Sequence, residues 1–269
     1  MSRGFLAAPF RAYRTGMFDF LTRRKHAAIV AEPFPEAWRE ILDRDVAYVG
    51  KLSGEEWKTL EGLVQIFLAE KSFEGCGGLE MNDEIRVTVA AQACLLVLHR
   101  DMVDLYPGLD SILVYPSAYR AASKKRDGLV VIESDDARLG ESWTRGSVVL
   151  AWDHVLRSAR HLGGDNVVLH EFAHQLDAAD GDVDGAPDLG SRARYASWAR
   201  VLGEEFAELS DRLHAGRASD IDAYGATNPP EFFAVVTEMF FEKPRQLKNR
   251  HPELYAELAA FYKQDPASL

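Results

Sequence analysis

The chain has 269 residues, a formal net charge of -11 at pH 7, 47% hydrophobic residues and 27% charged residues. This length holds one large domain or two modest lobes, the balance is that of a globular protein, and the negative charge argues against a basic nucleic-acid surface. The two cysteines, Cys76 and Cys94, form no C-x-x-C pair, so they suit a reducing compartment, offer no sulfur-rich metal site and are read as small buried hydrophobes.

No apolar run is long enough to span a bilayer. The opening MSRGFLAAPFRAYR is broken by Arg11 and Arg14 and lacks the apolar core of a signal peptide, which makes the cytoplasm the expected location. Residues 1–34 read as an N-terminal extension in which Arg3, Arg11, Arg14, Arg23, Arg24 and Lys25 alternate with Phe5, Phe10, Phe18 and Phe20, a tail expected to pack partly on the body.

Pro35 opens a helical stripe of Trp38, Ile41, Leu42 and Val46. Ser53 with Glu56 forms a capping box for a second helix bearing Trp57, Leu60, Leu63, Val64, Phe67 and Leu68, which the glycines at 75, 77 and 78 end. A third, apolar helix runs from Asp83 through Leu98; its Gln92 needs a polar partner. Ser111–Tyr115, Gly128–Glu133 and Ser147–Trp152 have the composition of short strands. Asp153 is expected to cap one helix, Gly163-Gly164 to break it, and Asp165 to cap the next.

That next stretch, VVLHEFAHQLD, carries His170, Glu171 and His174 in an H-E-x-x-H pattern. Residues four apart share a helix face, so both imidazoles can reach one cation while Glu171 projects beside it. Two neutral nitrogen ligands, an open position for water and an adjacent base are what a zinc hydrolase needs. A solvated helix face would explain the polar residues equally, but Val167, Val168, Leu169, Phe172, Ala173 and Leu176 cover most of the circumference. Such a helix is buried, and buried imidazoles and carboxylates require compensation of the kind a cation gives.

Beyond it, Asp180, Asp182, Asp184 and Gly185 match the first part of a calcium loop, but the position of the bidentate glutamate is Ser191; the stretch reads as an acidic turn at a cleft mouth. A long amphipathic helix spans about Arg194 to Ala215. Asn228-Pro229-Pro230-Glu231 then starts a helix, with Asn228 as the cap, Pro229 at the first helical position and Glu231 at the capping-box position. This helix offers Glu231 and Glu238 on one face as the third metal ligand, and spacing does not choose between them. Glu238 and Asp177 are the nearest carboxylates for the histidines' other N–H groups. The strand Ser147–Trp152 is a candidate edge for an extended peptide. A last helix covers Pro252 to about Lys263.

HEFAHQLD followed by YGATNPPEFFAVVTEMFF, with FEGCGGLEMNDEIRVTVAAQACLLVL and LYPGLDSILVYP before them, resembles the Mlc titration factor A family of bacterial zinc peptidases from about Phe18 to Pro266. The tyrosine-to-glutamate segment is also similar to the catalytic domain of anthrax lethal factor, a gluzincin. The resemblance implies one zinc ion held by His170, His174 and Glu231, Glu171 as general base and Tyr224 as transition-state stabiliser. It further implies aminopeptidase-like hydrolysis of peptides in the cytoplasm, and binding of an Mlc-like transcriptional repressor, with no direct contact to nucleic acid. The expected fold is α+β and zincin-like, mostly helical, with a small mixed sheet above the active-site helix. After the extension, residues 35–269 form one catalytic domain of two lobes, about 35–180 and 181–269. The competing reading is a non-catalytic regulator that sequesters a transcription factor around a structural or vestigial metal site. An intact Glu171 favours the enzyme, because a structural site needs no base.

Overall fold

The computed structural model describes residues 17–101, 103–117 and 146–269. The candidate strand at 128–133 and the first sixteen residues lie outside this set. Helix α1 (Met17–Val30) lies on α3 (Gly54–Glu70), where Lys25 and His26 both reach Glu70 at 3.0 Å. Between them runs α2 (Glu36–Asp45). The box at the head of α3 forms fully: Ser53 accepts the Glu56 N–H, and Glu56 accepts the Ser53 N–H at 2.8 Å. Each of these bonds satisfies an amide that a helix start otherwise leaves open.

Three described strands follow: β1 (Ser72–Gly75), β2 (Ser111–Tyr115) and β3 (Ser147–Ala151). They pair in the order β1-β2-β3, all parallel, with Ser72 opposite Ser111 and Ser111 opposite Ser147. The expected mixed character therefore has no counterpart among the described strands. β1 was not expected from its composition: SFEG is short and partly exposed, and its pairing with β2 makes it a strand. α4 (Asp83–Leu96) joins β1 to β2, as a parallel pair requires a crossover. β3 runs directly into α5 (Trp152–Arg160), so Ala151, not Asp153, occupies the cap position, and Asp153 falls in the first turn.

The remaining helices are α6 (Val167–Asp177), α7 (Arg192–His214), α8 (Pro229–Glu242), α9 (Pro244–Arg250) and α10 (Pro252–Tyr262). One hydrophobic core unites them with α2–α5 and the sheet. α6 packs against β3, α4 and α8, and eight of its eleven residues are buried. Phe172 sits between Phe67, at 5.7 Å between ring centroids, and Tyr106, at 4.8 Å. In α8 every residue from Phe232 to Glu242 is buried. The two helices that carry the polar motif residues are thus enclosed by the core, as α4 is, which fixes their side chains by packing.

Candidate metal centre

Each participating side chain is delivered by a definable local device. α6 begins at Asn166, one residue after the expected Asp165: its side-chain oxygen accepts the Val168 and Leu169 N–H groups at 3.1 Å each. Its amide nitrogen donates to Gln92 and to Glu242, both at 2.9 Å. The buried position thus needs a donor and an acceptor in one side chain, which an aspartate cannot supply beside Glu242. Gln92 finds its partner here.

α8 begins at Asn228 as its sequence indicates, although Glu231 does not close the expected capping box. Asn228 accepts the Glu231 N–H at 2.9 Å, which satisfies the backbone and leaves the Glu231 carboxylate to point elsewhere. It points at the histidines: Glu231 Oε2 lies 3.0 Å from His170 Nε2 and 3.4 Å from His174 Nε2. The two Nε2 atoms are 3.3 Å apart. Glu238, two turns deeper in α8, takes the other end of the same ring, with Oε1 at 2.7 Å from His170 Nδ1. Seven residues rise about 10.5 Å along a helix, enough to place the imidazole lengthwise between two carboxylates of one face. Glu238 also accepts the Asn166 N–H at 2.5 Å. Asp177, the other expected partner for a histidine, instead accepts the Gly185 N–H with both oxygens, at 3.0 and 2.9 Å.

The donor set fits a tetrahedral divalent ion. Ligand atoms about 2.0–2.1 Å from a zinc ion in tetrahedral array stand about 3.3–3.4 Å from one another, close to the spacings of the three atoms here. His170 Nδ1–H donates to Glu238, which leaves Nε2 as a lone pair facing a second lone pair and a carboxylate. Three acceptors at this range require a cation or a proton between them. Without a metal the proton takes that place: burial opposes charge on His170, but the hydrogen bonds to Glu231 and Glu238 raise its pKa to about 10. Burial likewise opposes charge on Glu231, and the hydrogen bonds from His170 and His174 override it and lower its pKa to about 2. Among the described residues, His170, His174 and Glu231 are the one group of three or more metal-binding side chains whose ligand atoms all lie within 4.8 Å of one another.

Glu171 is partly buried beside this group. Burial pushes its pKa above the usual carboxylate value, while the charges of His170 and His174 pull it back. Tyr224 lies in a short 3-10 turn, Ala223–Ala226, capped by Asp222, which accepts the Tyr224 N–H at 2.8 Å. Its ring centroid is 5.9 Å from that of His170. The structure therefore brings His170, His174, Glu231 and Tyr224 together, and gives Glu238 the supporting position. Asn166 and Glu242 were missed; the one signal of a buried polar network was Gln92 in an otherwise apolar helix. The acidic loop has its own uses for its side chains: Asp180 accepts the Asp182 N–H, Asp184 accepts the Ala186 N–H, and Ser191 caps α7. Cys76 and Cys94 form no disulfide; Cys94 is buried as expected, whereas Cys76, just past the end of β1, is only partly buried. No helix among the described residues is long and apolar enough to cross a membrane.

Residues 20–263 match the family model of the glucose-regulated metallo-peptidase M90. The chain is 44% identical over 237 residues to an uncharacterised protein of Synechocystis sp., covering 87% of this chain and 86% of the relative. It is 32% identical over 233 residues to Mlc titration factor A of Serratia proteamaculans, covering 85% of this chain and 87% of the relative. The same identity and length relate it to Mlc titration factor A of Klebsiella pneumoniae, of which 86% is covered. A metallo-peptidase implies a metal, and His170, His174 and Glu231 form the group suited to hold it. On the extent of these matches, the chain belongs to the glucose-regulated metallo-peptidase M90 family and is a relative of the Mlc titration factor A proteins.

Proposed function

We propose that the protein is a zinc-dependent, aminopeptidase-like peptidase whose zinc ligands are His170, His174 and Glu231. The observation that carries this reading is the convergence of three electron-pair donors at 3.0, 3.3 and 3.4 Å beside a partly buried glutamate. Two imidazoles and one carboxylate are a ligand set of catalytic zinc sites. When bound there, zinc lowers the pKa of a water toward neutrality and polarises the substrate carbonyl. Glu171 accepts the proton of the attacking water and returns it to the leaving amine, a role that its raised pKa suits. Tyr224 donates its hydroxyl proton in a hydrogen bond to the oxygen on which negative charge develops. Glu238 fixes the ring of His170 and keeps its proton on Nδ1, so that Nε2 stays available as a ligand. β3, one of the two outer described strands, is the edge along which an extended peptide would lie.

Several relatives bear the name Mlc titration factor A. We carry this to the present chain as a second, regulatory role: binding of an Mlc-like repressor in the cytoplasm, separate from hydrolysis. Peptide cleavage tests the enzymatic reading. Cleavage of aminoacyl and peptide chromogens is measured for the wild type and for Glu171→Gln, with zinc content checked in each. Activity lost with zinc retained supports the enzyme. A fully zinc-loaded wild type that cleaves nothing across a broad panel overturns it and leaves the sequestering role as the better reading.

A further inference from the structure

We propose that Asp177, Gly185 and Trp198 are positioning residues that set the distance between the histidine pair and Glu231; this rests on the zinc site proposed above. Asp177 is buried on α6, three residues beyond His174, and grips the Gly185 N–H with both carboxylate oxygens, at 3.0 and 2.9 Å. The Gly185 carbonyl accepts the indole N–H of buried Trp198 on α7 at 2.9 Å. One peptide strand of the acidic loop is thus held from both sides.

Its third face meets α8. Gly185 adopts φ +81°, and a Cβ there would stand 2.5 Å from the Pro229 carbonyl oxygen and 2.7 Å from its carbon. Backbone therefore lies flush against backbone at the first turn of α8, two residues before Glu231. The proline pair 229-230 stiffens that turn and offers no N–H that could tie it elsewhere. The result is a link from the histidine helix to the glutamate helix through one glycine: α6 holds Gly185, and Gly185 seats the start of α8. Pro229 and Glu238 lie on opposite sides of Glu231 along α8, so α6 holds the ligating face at both ends, through Gly185 at its start and through His170 and Asn166 at Glu238. No ligand or substrate contact is required of any of the three residues. Their effect on the metal runs through Glu231.

Zinc affinity by chelator competition, the visible spectrum of the cobalt-substituted protein and circular dichroism test this on the full chain. Gly185→Ala is expected to lower zinc affinity about 10–100-fold, the usual scale for groups that orient a ligand, and to weaken the intense absorption of four-coordinate cobalt. Asp177→Ala should behave alike, while Asp177→Asn, which keeps one oxygen acceptor for the Gly185 N–H, should recover most of the affinity and the spectrum. In a Glu231→Ala background, Gly185→Ala should cost nothing further, because the ligand it seats is gone. A folded Gly185→Ala protein with wild-type affinity and spectrum overturns the proposal, as does an undiminished loss in the Glu231→Ala background. If Gly185→Ala fails to fold, the aspartate pair decides: Asp177→Ala with wild-type affinity, or Asp177→Asn no better than Asp177→Ala, overturns it. A wild type that binds neither zinc nor cobalt overturns both this proposal and the reading of the site, whereas the other outcomes leave that reading standing.

Discussion

Replacing Glu238 isolates the support of the site from its ligands. Glu238 is buried and receives two donors, the His170 Nδ1–H at 2.7 Å and the Asn166 N–H at 2.5 Å. Glu238→Gln keeps the shape and one acceptor oxygen but removes the charge that strengthens the bond to His170. Loss of such a partner typically costs about 10–100-fold in metal affinity, or about 1.4–2.7 kcal/mol. Burial raises the Glu238 pKa to about 7, with the hydrogen bond from His170 opposing. The carboxylate is therefore ionised above that pH and neutral below it. The glutamine variant should differ from wild type fully at pH 8 and progressively less toward pH 6. Glu238→Ala goes further, because it leaves both donors buried and unpaired. At about 1–3 kcal/mol each, the expected loss of stability is about 2–6 kcal/mol. Chelator competition across pH 6–8 reads the first effect, and denaturant unfolding of the metal-free protein reads the second. Wild-type zinc affinity in Glu238→Gln at pH 8 would refute the support role. An alanine variant as stable as wild type would refute the buried-donor reasoning.

Four further outcomes are expected. Glu171→Gln should retain one zinc per chain while peptide cleavage falls about 10²–10⁴-fold, as read by steady-state kinetics with metal analysis. Tyr224→Phe should lower kcat about 10²–10³-fold with little change in KM, since its hydrogen bond is made to developing charge; an effect on KM alone would assign the tyrosine to substrate binding. Burial opposes charge on His170, but its carboxylate partners raise its pKa from 6.5 to about 10. That proton stabilises the metal-free protein fully below pH 6.5, and the contribution is lost as pH rises through about 10. Zinc must displace it, so zinc affinity should climb with pH across the same window, up to about tenfold per unit; a flat profile from calorimetric titration would count against this proton. Phe172→Ala, which empties a fully buried position between Phe67 and Tyr106, should cost about 3–5 kcal/mol in thermal or denaturant unfolding.

What the sequence disclosed was whatever local chemistry decides. The Ser53 box and the Asn228 cap are one-turn devices, written in four residues each, and both form as read. The pairing of His170 with His174 follows from helical periodicity alone. Choices made by tertiary packing were hidden. Glu231 and Glu238 share a face and a residue type, and only the docking of α8 on α6 sends one to Nε2 and the other to Nδ1. Asn166 displaced Asp165 as a cap because the site also had to donate to Gln92 and Glu242, two groups more than seventy residues away in opposite directions. β1 is a strand because β2 lies beside it, which SFEG could not announce. Asp177 is a candidate partner for a histidine by nearness in sequence, whereas the loop folding back over α6 gives it the Gly185 N–H.

X-ray absorption at the zinc edge of the purified protein tests the joint grip of His170, His174 and Glu231 most directly. One zinc per chain is expected, with two imidazole nitrogens and carboxylate or water oxygens at about 2.0–2.2 Å, and a coordination shell that loses an oxygen ligand or the metal itself in Glu231→Ala. Zinc held through sulfur, zinc coordination unaltered by loss of Glu231, or a chain that retains no zinc would contradict it.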